Sequence, residues 1–94
     1  MTKADLISLV SVQTGMDKVN VKKVIESFTE NIKNSLKNNK NVYLRGFGSF
    51  LVVKKAEKTA RNIRKNTSIV IPEHYAPKFK PVKSFVDDVK DNVK

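Results

Sequence analysis

The first third of the chain carries apolar residues at the spacing of two amphipathic helices. Thr2 can cap the first helix, with Asp5 completing a shortened capping box, and Gly15 suits its end because glycine readily adopts the left-handed conformation. Asp17 or Asn20 can cap the second helix. The apolar stripes consist of Leu6, Leu9 and Val10 in the first helix and of Val21, Ile25, Phe28, Ile32 and Leu36 in the second. The short turn between them predicts a helical hairpin.

At Val42 the pattern changes to β-branched and aromatic residues, which favour strands. In the stretch "VYLRGFGSFLVVKK", the glycines on both sides of Phe47 predict a tight turn between two strands. The second strand is expected to run from Ser49 to about Ala60. The segment "TSIVIP" then predicts a returning strand, which ends at Pro72 because proline has no N–H to donate to a ladder.

A short helix is predicted at the C-terminal end, after the segment "PEHYAPKFKP". Pro81 suits its first turn, because a helix start leaves that N–H unpaired. Its apolar stripe consists of Val82, Phe85, Val86, Val89 and Val93. The order of elements predicts an α+β fold with a helical hairpin base, a three-stranded antiparallel sheet with a protruding β-ribbon arm, and a short C-terminal helix. The length of 94 residues favours one domain, divided into a hairpin at 1–41, a sheet and arm at 42–80 with the arm at about 53–72, and a helix at 81–94.

The second predicted strand is too long for a compact domain of this size. Twelve residues from Ser49 to Ala60 would span roughly 40 Å, whereas the domain should measure roughly 30 Å across. The hairpin is therefore expected to overhang as an arm that becomes ordered when bound. Between Lys54 and Thr67 it holds six basic residues and one acidic residue, which suits a DNA groove. Ile63 at its tip can wedge between base pairs or fold back against the ribbon, and the sequence leaves both open.

The chain is strongly basic, with a formal net charge of +10, and this charge is concentrated in its middle. Residues 42–80 hold nine basic and two acidic residues, whereas residues 1–41 hold seven and four. Such a segment indicates a polyanionic partner, with nucleic acid as the leading candidate and an anionic membrane surface as the second.

Several classes of protein are excluded or disfavoured by the sequence. There is no cysteine, so disulfides and Cys-based zinc sites are excluded. The N-terminus resembles neither a signal peptide nor a membrane span, so a cytoplasmic location is expected. His74 is the only histidine, and no nucleophile, base and oxyanion donor form a recognisable set. We therefore expect no enzyme activity, no cofactor, no metal and no small-molecule substrate.

An ordered set of short motifs runs through the second half of the chain. It consists of "GFGSF" at 46–50, "ARN" at 60–62, "IP" at 71–72, "PKF" at 77–79 and Lys83. With these motifs the chain resembles, over essentially its whole length, the bacterial HU/IHF family of histone-like, DNA-bending proteins. The resemblance implies an intertwined dimer whose two β-arms enter the minor groove of duplex DNA, with a residue at each tip intercalating. The implied dimer core contains Phe47, Phe50 and Phe79, and Phe28, on the apolar stripe of the second helix, is expected to join it.

The resemblance also implies which residues contact DNA. Lys55, Lys58 and Arg61 match arm cations that touch the backbone and groove, and Lys83 matches a further phosphate contact. Together with the charge pattern, this predicts a DNA-binding set of Lys3, Arg45, Lys54, Lys55, Lys58, Arg61, Asn62, Ile63, Arg64, Lys65, Lys80 and Lys83.

The chain departs from the family pattern at several arm positions. Ile63 stands where the family usually has proline, and Ala60 and Asn66 replace glycines near the tip. Val53 stands where an arm arginine is common, and Lys54 is basic where many members are acidic, a change that can partly compensate.

The expected function is that of a homodimeric architectural protein of the bacterial nucleoid. It should bind double-stranded DNA with little sequence specificity, bend it, and prefer bent, nicked or gapped DNA because such DNA costs less to deform. Two alternatives remain: an IHF-like subunit with site preference, and a basic module that binds RNA or anionic membrane surfaces.

Overall fold

The computed structural model describes residues 1–62 and 67–93. The chain divides into two compact units, Met1–Ser35 and Leu36–Lys94. The described elements follow the predicted α+β order, which confirms the fold class. They are α1 (Lys3–Thr14), α2 (Lys18–Lys37), β1 (Val42–Leu44), β2 (Gly48–Lys55), β3 (Lys58–Asn62), β4 (Thr67–Ile71), β5 (His74–Pro81) and α3 (Lys83–Asn92).

Helix α1 begins and ends as predicted. The hydroxyl Oγ1 of Thr2 accepts a hydrogen bond from the Asp5 N–H at 3.3 Å, and Oδ2 of Asp5 accepts one from the Thr2 N–H at 2.8 Å. The Thr2 backbone N–H, and then its hydroxyl, hold the pKa of the Asp5 carboxyl below its ordinary value of 3.8. Gly15, with a φ of 73°, ends the helix by donating its N–H to the Ser11 carbonyl at 2.9 Å.

Helix α2 begins at Lys18, directly after Asp17, so the alternative start at Asn20 is wrong because Asn20 lies inside the helix. The predicted apolar stripe is its protected side. Val21 is only 2% exposed, whereas Phe28 on the same stripe is 50% exposed. Ile7 and Val21 are the only buried apolar side chains in the described part of the chain. Both lie in the unit formed by residues 1–35, and the described residues of the other unit include no buried apolar side chain.

Strands β1, β2 and β5 form a three-stranded antiparallel sheet in the order β1–β2–β5, called the body sheet below. The predicted turn between β1 and β2 is present, with Gly46 at a φ of 81° and the Phe47 N–H donating to the Leu44 carbonyl at 3.0 Å. Asn41 directly precedes β1, and its side-chain oxygen accepts a hydrogen bond from the Val52 N–H at 3.0 Å. This bond supplies the partner that the short β1 cannot provide.

The prediction of one continuous strand from Ser49 to Ala60 is wrong, because the strand is interrupted. Strand β2 ends at Lys55 and β3 begins at Lys58, and the returning chain is interrupted at Pro72 and Glu73. Strands β3 and β4 pair with each other as a separate two-stranded sheet, called the arm ribbon below. The paired arm ribbon thus begins further along the chain than residue 53, since residues 53–55 pair with 74–76 in the body sheet.

The third strand of the body sheet is β5, a stretch to which the sequence pattern assigned no element. Pro77 and Pro81 argue against a strand, because proline cannot donate to a ladder. Strand β5 lies at the edge of the sheet, where a residue without an N–H is tolerated. The prediction that Pro81 opens the last helix is also wrong, because Pro81 ends β5 and α3 begins at Lys83.

Candidate nucleic-acid interface

The register of the body sheet separates its residues into two faces. Side chains alternate between faces along a strand, and directly paired residues share a face. Because Phe50 pairs with Phe79, the members at alternate positions from this pair form one face, called the aromatic face. It carries Val42 and Leu44 on β1, Phe50, Val52 and Lys54 on β2, and Tyr75, Pro77, Phe79 and Pro81 on β5.

A cluster of rings covers the aromatic face. The ring centroids of Phe47 and Phe79 are 5.0 Å apart, and those of Phe50 and Phe79 are 4.9 Å apart. Phe85 of α3 stacks on Phe47 at 5.6 Å, and the Val82 N–H donates to the Phe47 carbonyl at 3.0 Å. The cluster joins three of the four aromatic residues predicted for the core, while Phe28 belongs to the other unit. Phe85 was predicted on the apolar stripe of the last helix but was not included among the four core aromatics, and the structure brings it into the cluster.

The opposite side of the body sheet is called the basic face. Three exposed lysines stand on it, Lys55 on β2 and Lys78 and Lys80 on β5. None of its residues in the described strands is acidic, and the aromatic cluster lies on the other side. The basic face therefore presents an uncompensated positive surface to solvent. Its members are Tyr43, Ser49, Leu51, Val53, Lys55, His74, Ala76, Lys78 and Lys80.

Lys78 was absent from the predicted DNA-binding set. It pairs with Leu51 and lies two residues from Lys80, so both lysines stand on the same face. The signal for Lys78 was the alternation of lysine and phenylalanine in "KFK", which places Lys78 and Lys80 on one face and Phe79 on the other. That signal is informative only once β5 is known to be a strand.

Lys54 is separated from the other predicted cations. It stands on the aromatic face, and its Nζ lies 2.8 Å from Oε1 of Glu73. Val53 stands on the basic face. It occupies the position where an arm arginine is common, and Lys54 was expected to compensate in part for that missing charge. Adjacent strand residues point in opposite directions, so the body sheet does not bring Lys54 to the position where the cation is missing.

Three further predicted cations lie at turns and helix starts. Arg45 is exposed in the turn between β1 and β2, and Lys83 is the exposed first residue of α3. Lys3 is the first residue of α1, and its Nζ lies 3.7 Å from Oε2 of Glu26. This ion pair is exposed, so it contributes little to stability and leaves Lys3 accessible to an anion.

The arm ribbon carries the remaining predicted residues that the structure describes. Lys58 pairs with Ile71 and Arg61 pairs with Ser68, so the two cations point to opposite faces of the ribbon. The backbone of Asn62 ends β3. The predictions for the tip lie outside the described residues, and they concern Ile63, Arg64 and Lys65.

No cluster of potential metal ligands occurs in residues 1–62 and 67–93. The Nδ1 atom of His74 lies 2.9 Å from the Pro72 carbonyl oxygen, which occupies one of its ring nitrogens. None of the helices in the described part of the chain combines the length and the apolar character that crossing a membrane requires.

Comparison with known proteins connects this geometry to a family. Residues 1–90 match the family model described as bacterial DNA-binding protein. The chain is 39% identical over 90 residues to the DNA-binding protein HU of Thermotoga maritima, which covers 96% of this chain and 100% of that protein. It is 34% identical over 95 residues to the integration host factor subunit beta of Marinobacter nauticus, covering 100% of this chain and 97% of that protein.

A solved structure shares the fold closely. The Anabaena HU–DNA cocrystal structure superposes with a TM-score of 0.87 at 28% identity, and the match covers 95% of this chain and 97% of that one. The HU structure from Thermotoga maritima superposes with a TM-score of 0.68 at 30% identity, covering 95% and 98%.

The fold, the basic face and the cationic ribbon define a histone-like, architectural DNA-binding protein. The chain belongs to the HU/IHF family of bacterial DNA-binding proteins. This membership confirms the family resemblance of the sequence, and it confirms the expectation that the protein binds DNA and is not an enzyme.

Proposed function

We propose that this protein is an HU-like architectural protein that binds duplex DNA with little sequence specificity and bends it. The basic face is the observation that carries the proposal. Lys55, Lys78 and Lys80 stand together on a sheet face that has no acidic residue among the described strands. Lysine ammonium groups are point charges suited to phosphates, and their neutralisation of phosphates releases counterions whatever the base sequence.

The partner is duplex DNA. The HU chain that superposes with a TM-score of 0.87 was crystallised with DNA, which supports the same partner for this chain. The arm ribbon adds Lys58 and Arg61 on a two-stranded element of the width that a groove admits. Arg45, Lys83 and Lys3 extend the contacts to phosphates beyond the sheet, as proposed from the sequence.

The protein acts as a homodimer. In residues 36–94, an open apolar depression of about 540 Å³ is lined by Phe79, Pro81, Phe85, Val86, Val89 and Lys90. Val89 is 48% exposed there and Phe79 is 36% exposed. In residues 1–35, Phe28 of the α2 stripe is 50% exposed. Each unit thus leaves an apolar surface open that a second copy of the chain would cover.

Bending is assigned to the arm tips. Ile63, the residue after Asn62 in the sequence, is the proposed wedge, because an isoleucine that enters the minor groove can partly unstack a base step. The bend then brings more phosphates to the basic face, which offsets the cost of deforming the duplex. Bent, nicked or gapped DNA should therefore bind more tightly than intact duplex.

The test is a salt titration of binding to intact and nicked duplexes of one sequence, with bending read by energy transfer between the duplex ends. We expect tighter binding to the nicked duplex and a steep linear fall of log affinity with log salt. Ile63→Asp should reduce bending more than it reduces affinity for intact DNA. Equal affinity for both duplexes, or full bending by Ile63→Asp, would contradict the proposal.

The similarity to an integration host factor subunit favours a second candidate function. In it, the chain is one subunit of a heterodimer that prefers particular DNA sites. Such a subunit expressed alone should aggregate or unfold, whereas an HU-like chain should give a stable particle of twice the chain mass of 10.6 kDa. The proposed location is the bacterial nucleoid in the cytoplasm, as expected of a protein that coats chromosomal DNA.

A further inference from the structure

The basic face is not uniformly polar, because an apolar patch interrupts its cations. Leu51 and Val53 are alternate residues of the central strand β2, and Ala76 of β5 pairs directly with Val53. All three are half-buried. They stand on the side of the sheet away from the aromatic cluster, so the ring packing on the other side does not explain them. This group, Leu51, Val53 and Ala76, is called the apolar patch.

Cations border the apolar patch on the neighbouring strand beside Leu51 and along β2 beyond Val53. Lys78 pairs with Leu51 at one end, and Lys55 follows Val53 on the same face at the other. The rows of Lys78 and Lys55 are four residues apart, which corresponds to roughly 13 Å along the sheet. The minor groove of B-DNA is about 6 Å wide, and the flexible lysine side chains can lean toward the phosphates on its two edges. Val53 and Ala76, which form the row between the two lysines, then lie over the groove between those phosphates, and Leu51 lies beside Lys78 at its edge.

The chemistry under the patch differs between DNA and RNA. The deoxyribose edges that line a DNA minor groove are C–H groups, which can pack against leucine, valine and alanine. An RNA duplex displays a 2′-hydroxyl on every sugar of its minor groove. Covering those hydroxyls with an apolar surface removes their water and provides no hydrogen-bond partner, which is unfavourable. The lysines cannot make this distinction, because both backbones carry the same phosphate charge.

We propose that the apolar patch makes this protein select DNA over RNA duplexes by rejecting the 2′-hydroxyl. The inference rests on the proposed function, because it concerns how the same basic face treats the nucleic acid that it binds. The cations supply affinity for any duplex, and Leu51 and Val53 supply the discrimination between sugars.

The experiment compares equilibrium binding of the full-length protein to three duplexes of equal length and sequence at one salt concentration. They are DNA, RNA, and RNA with 2′-fluoro sugars, which keeps the A-form shape but lacks the hydroxyl. We expect the wild type to bind RNA about tenfold more weakly than DNA, and the 2′-fluoro duplex to recover most of that difference. A 2′-fluoro duplex that binds as weakly as RNA overturns the inference, since helix shape alone would then explain the difference.

Two variants test the residues themselves. The double variant Leu51→Gln with Val53→Thr should lower the ratio of DNA to RNA affinity about tenfold, because its polar side chains can pair with the 2′-hydroxyls and no longer pack against deoxyribose. Val53→Thr alone keeps the side-chain shape and should show part of the same decrease, which guards against misfolding of the double variant. The matched control is Val12→Thr, because Val12 is 82% exposed on α1, outside the body sheet. An unchanged ratio of DNA to RNA affinity in both patch variants overturns the inference.

The outcome separates this inference from the proposed function. If the wild type binds and bends DNA but binds RNA equally well, the selection by the apolar patch fails and the architectural function stands. If the wild type neither bends DNA nor prefers the nicked duplex, the architectural function fails regardless of the RNA result.

Discussion

At the scale of single residues, neighbouring lysines on β2 have different environments. Lys55 stands on the basic face, whereas Lys54 stands on the aromatic face with its Nζ 2.8 Å from Glu73. Both side chains are exposed, so the ion pair of Lys54 adds little stability. The alternation of side chains along β2, and not this ion pair, directs the charge of Lys54 away from the surface that the other lysines share.

This difference predicts unequal effects of two adjacent substitutions on DNA binding. Lys55→Ala should reduce the slope of log affinity against log salt by about 0.9 for each phosphate that the side chain neutralises in the wild type. Lys54→Ala is the matched control and should leave the slope unchanged. The measurement is a fluorescence titration of duplex binding over a range of about 50 to 200 mM salt. Equal slopes in the two variants would show that the two faces of the body sheet do not differ in their contact with DNA.

At the scale of elements, the close approach of β2 and β5 depends on Gly48. A Cβ at this position would lie 2.6 Å from the Phe79 ring and 2.7 Å from the Lys80 carbonyl oxygen. The backbone atom cannot move without disturbing the pairing of Gly48 with Pro81. The glycine therefore allows the aromatic cluster to close over the start of β2.

Gly48→Ala should lower the free energy of unfolding by about 1–3 kcal/mol, the usual cost of overpacking. Ser49→Ala, at the next position and on the basic face, should change it by less than about 0.5 kcal/mol. Both are measured by urea unfolding followed by circular dichroism at one protein concentration. A Gly48→Ala protein as stable as the wild type would show that Phe79 can move aside at little cost.

At the scale of the whole molecule, the open apolar surfaces are the basis of the proposed homodimer. Val89 lines the apolar depression beside α3, and an acid introduced there would be buried among Phe79 and Phe85 in the proposed homodimer, at a cost in desolvation. Val89→Asp should therefore weaken dimerisation at least about a hundredfold. Val12→Asp is the control, because Val12 is 82% exposed on α1.

Sedimentation equilibrium over a range of concentrations measures both variants. The wild type and Val12→Asp should keep twice the chain mass of 10.6 kDa to lower concentrations than Val89→Asp does. The wild type should also show a melting temperature that rises with protein concentration, as expected when association stabilises the fold. Identical masses for all three proteins would place the dimer contact away from the depression.

Local chemistry made the helices predictable. The capping box of Thr2 and Asp5 and the left-handed Gly15 mark the ends of α1, and each depends on residues within a few positions of one another. The turn around Gly46 is equally local. The strand breaks and β5 were not predictable in this way, because a proline in a strand is acceptable or not according to the strand's place in the sheet.

The candidate site was likewise predictable only in part from local sequence. The sequence indicated a cationic middle segment, but it could not say which cations share a face. The sequence grouped Lys54 with the other cations and left Lys78 out, whereas the register between β2 and β5 places Lys78 on the basic face and Lys54 on the aromatic face. The residues at the tip, Ile63, Arg64 and Lys65, were chosen mainly from the length and charge of the predicted arm, and they lie outside the described part of the chain.

The sequence by itself determined the family, the helices, the central turn and the excess of positive charge, because these depend on residue types and on short spacings. Only the tertiary structure decided that β5 completes the body sheet and that Lys55, Lys78 and Lys80 stand on one face around an apolar patch. The physical reason is that a face of a sheet is created by pairing between distant strands. A shift of one residue in that pairing would exchange the basic and aromatic faces of β5 without changing any amino acid.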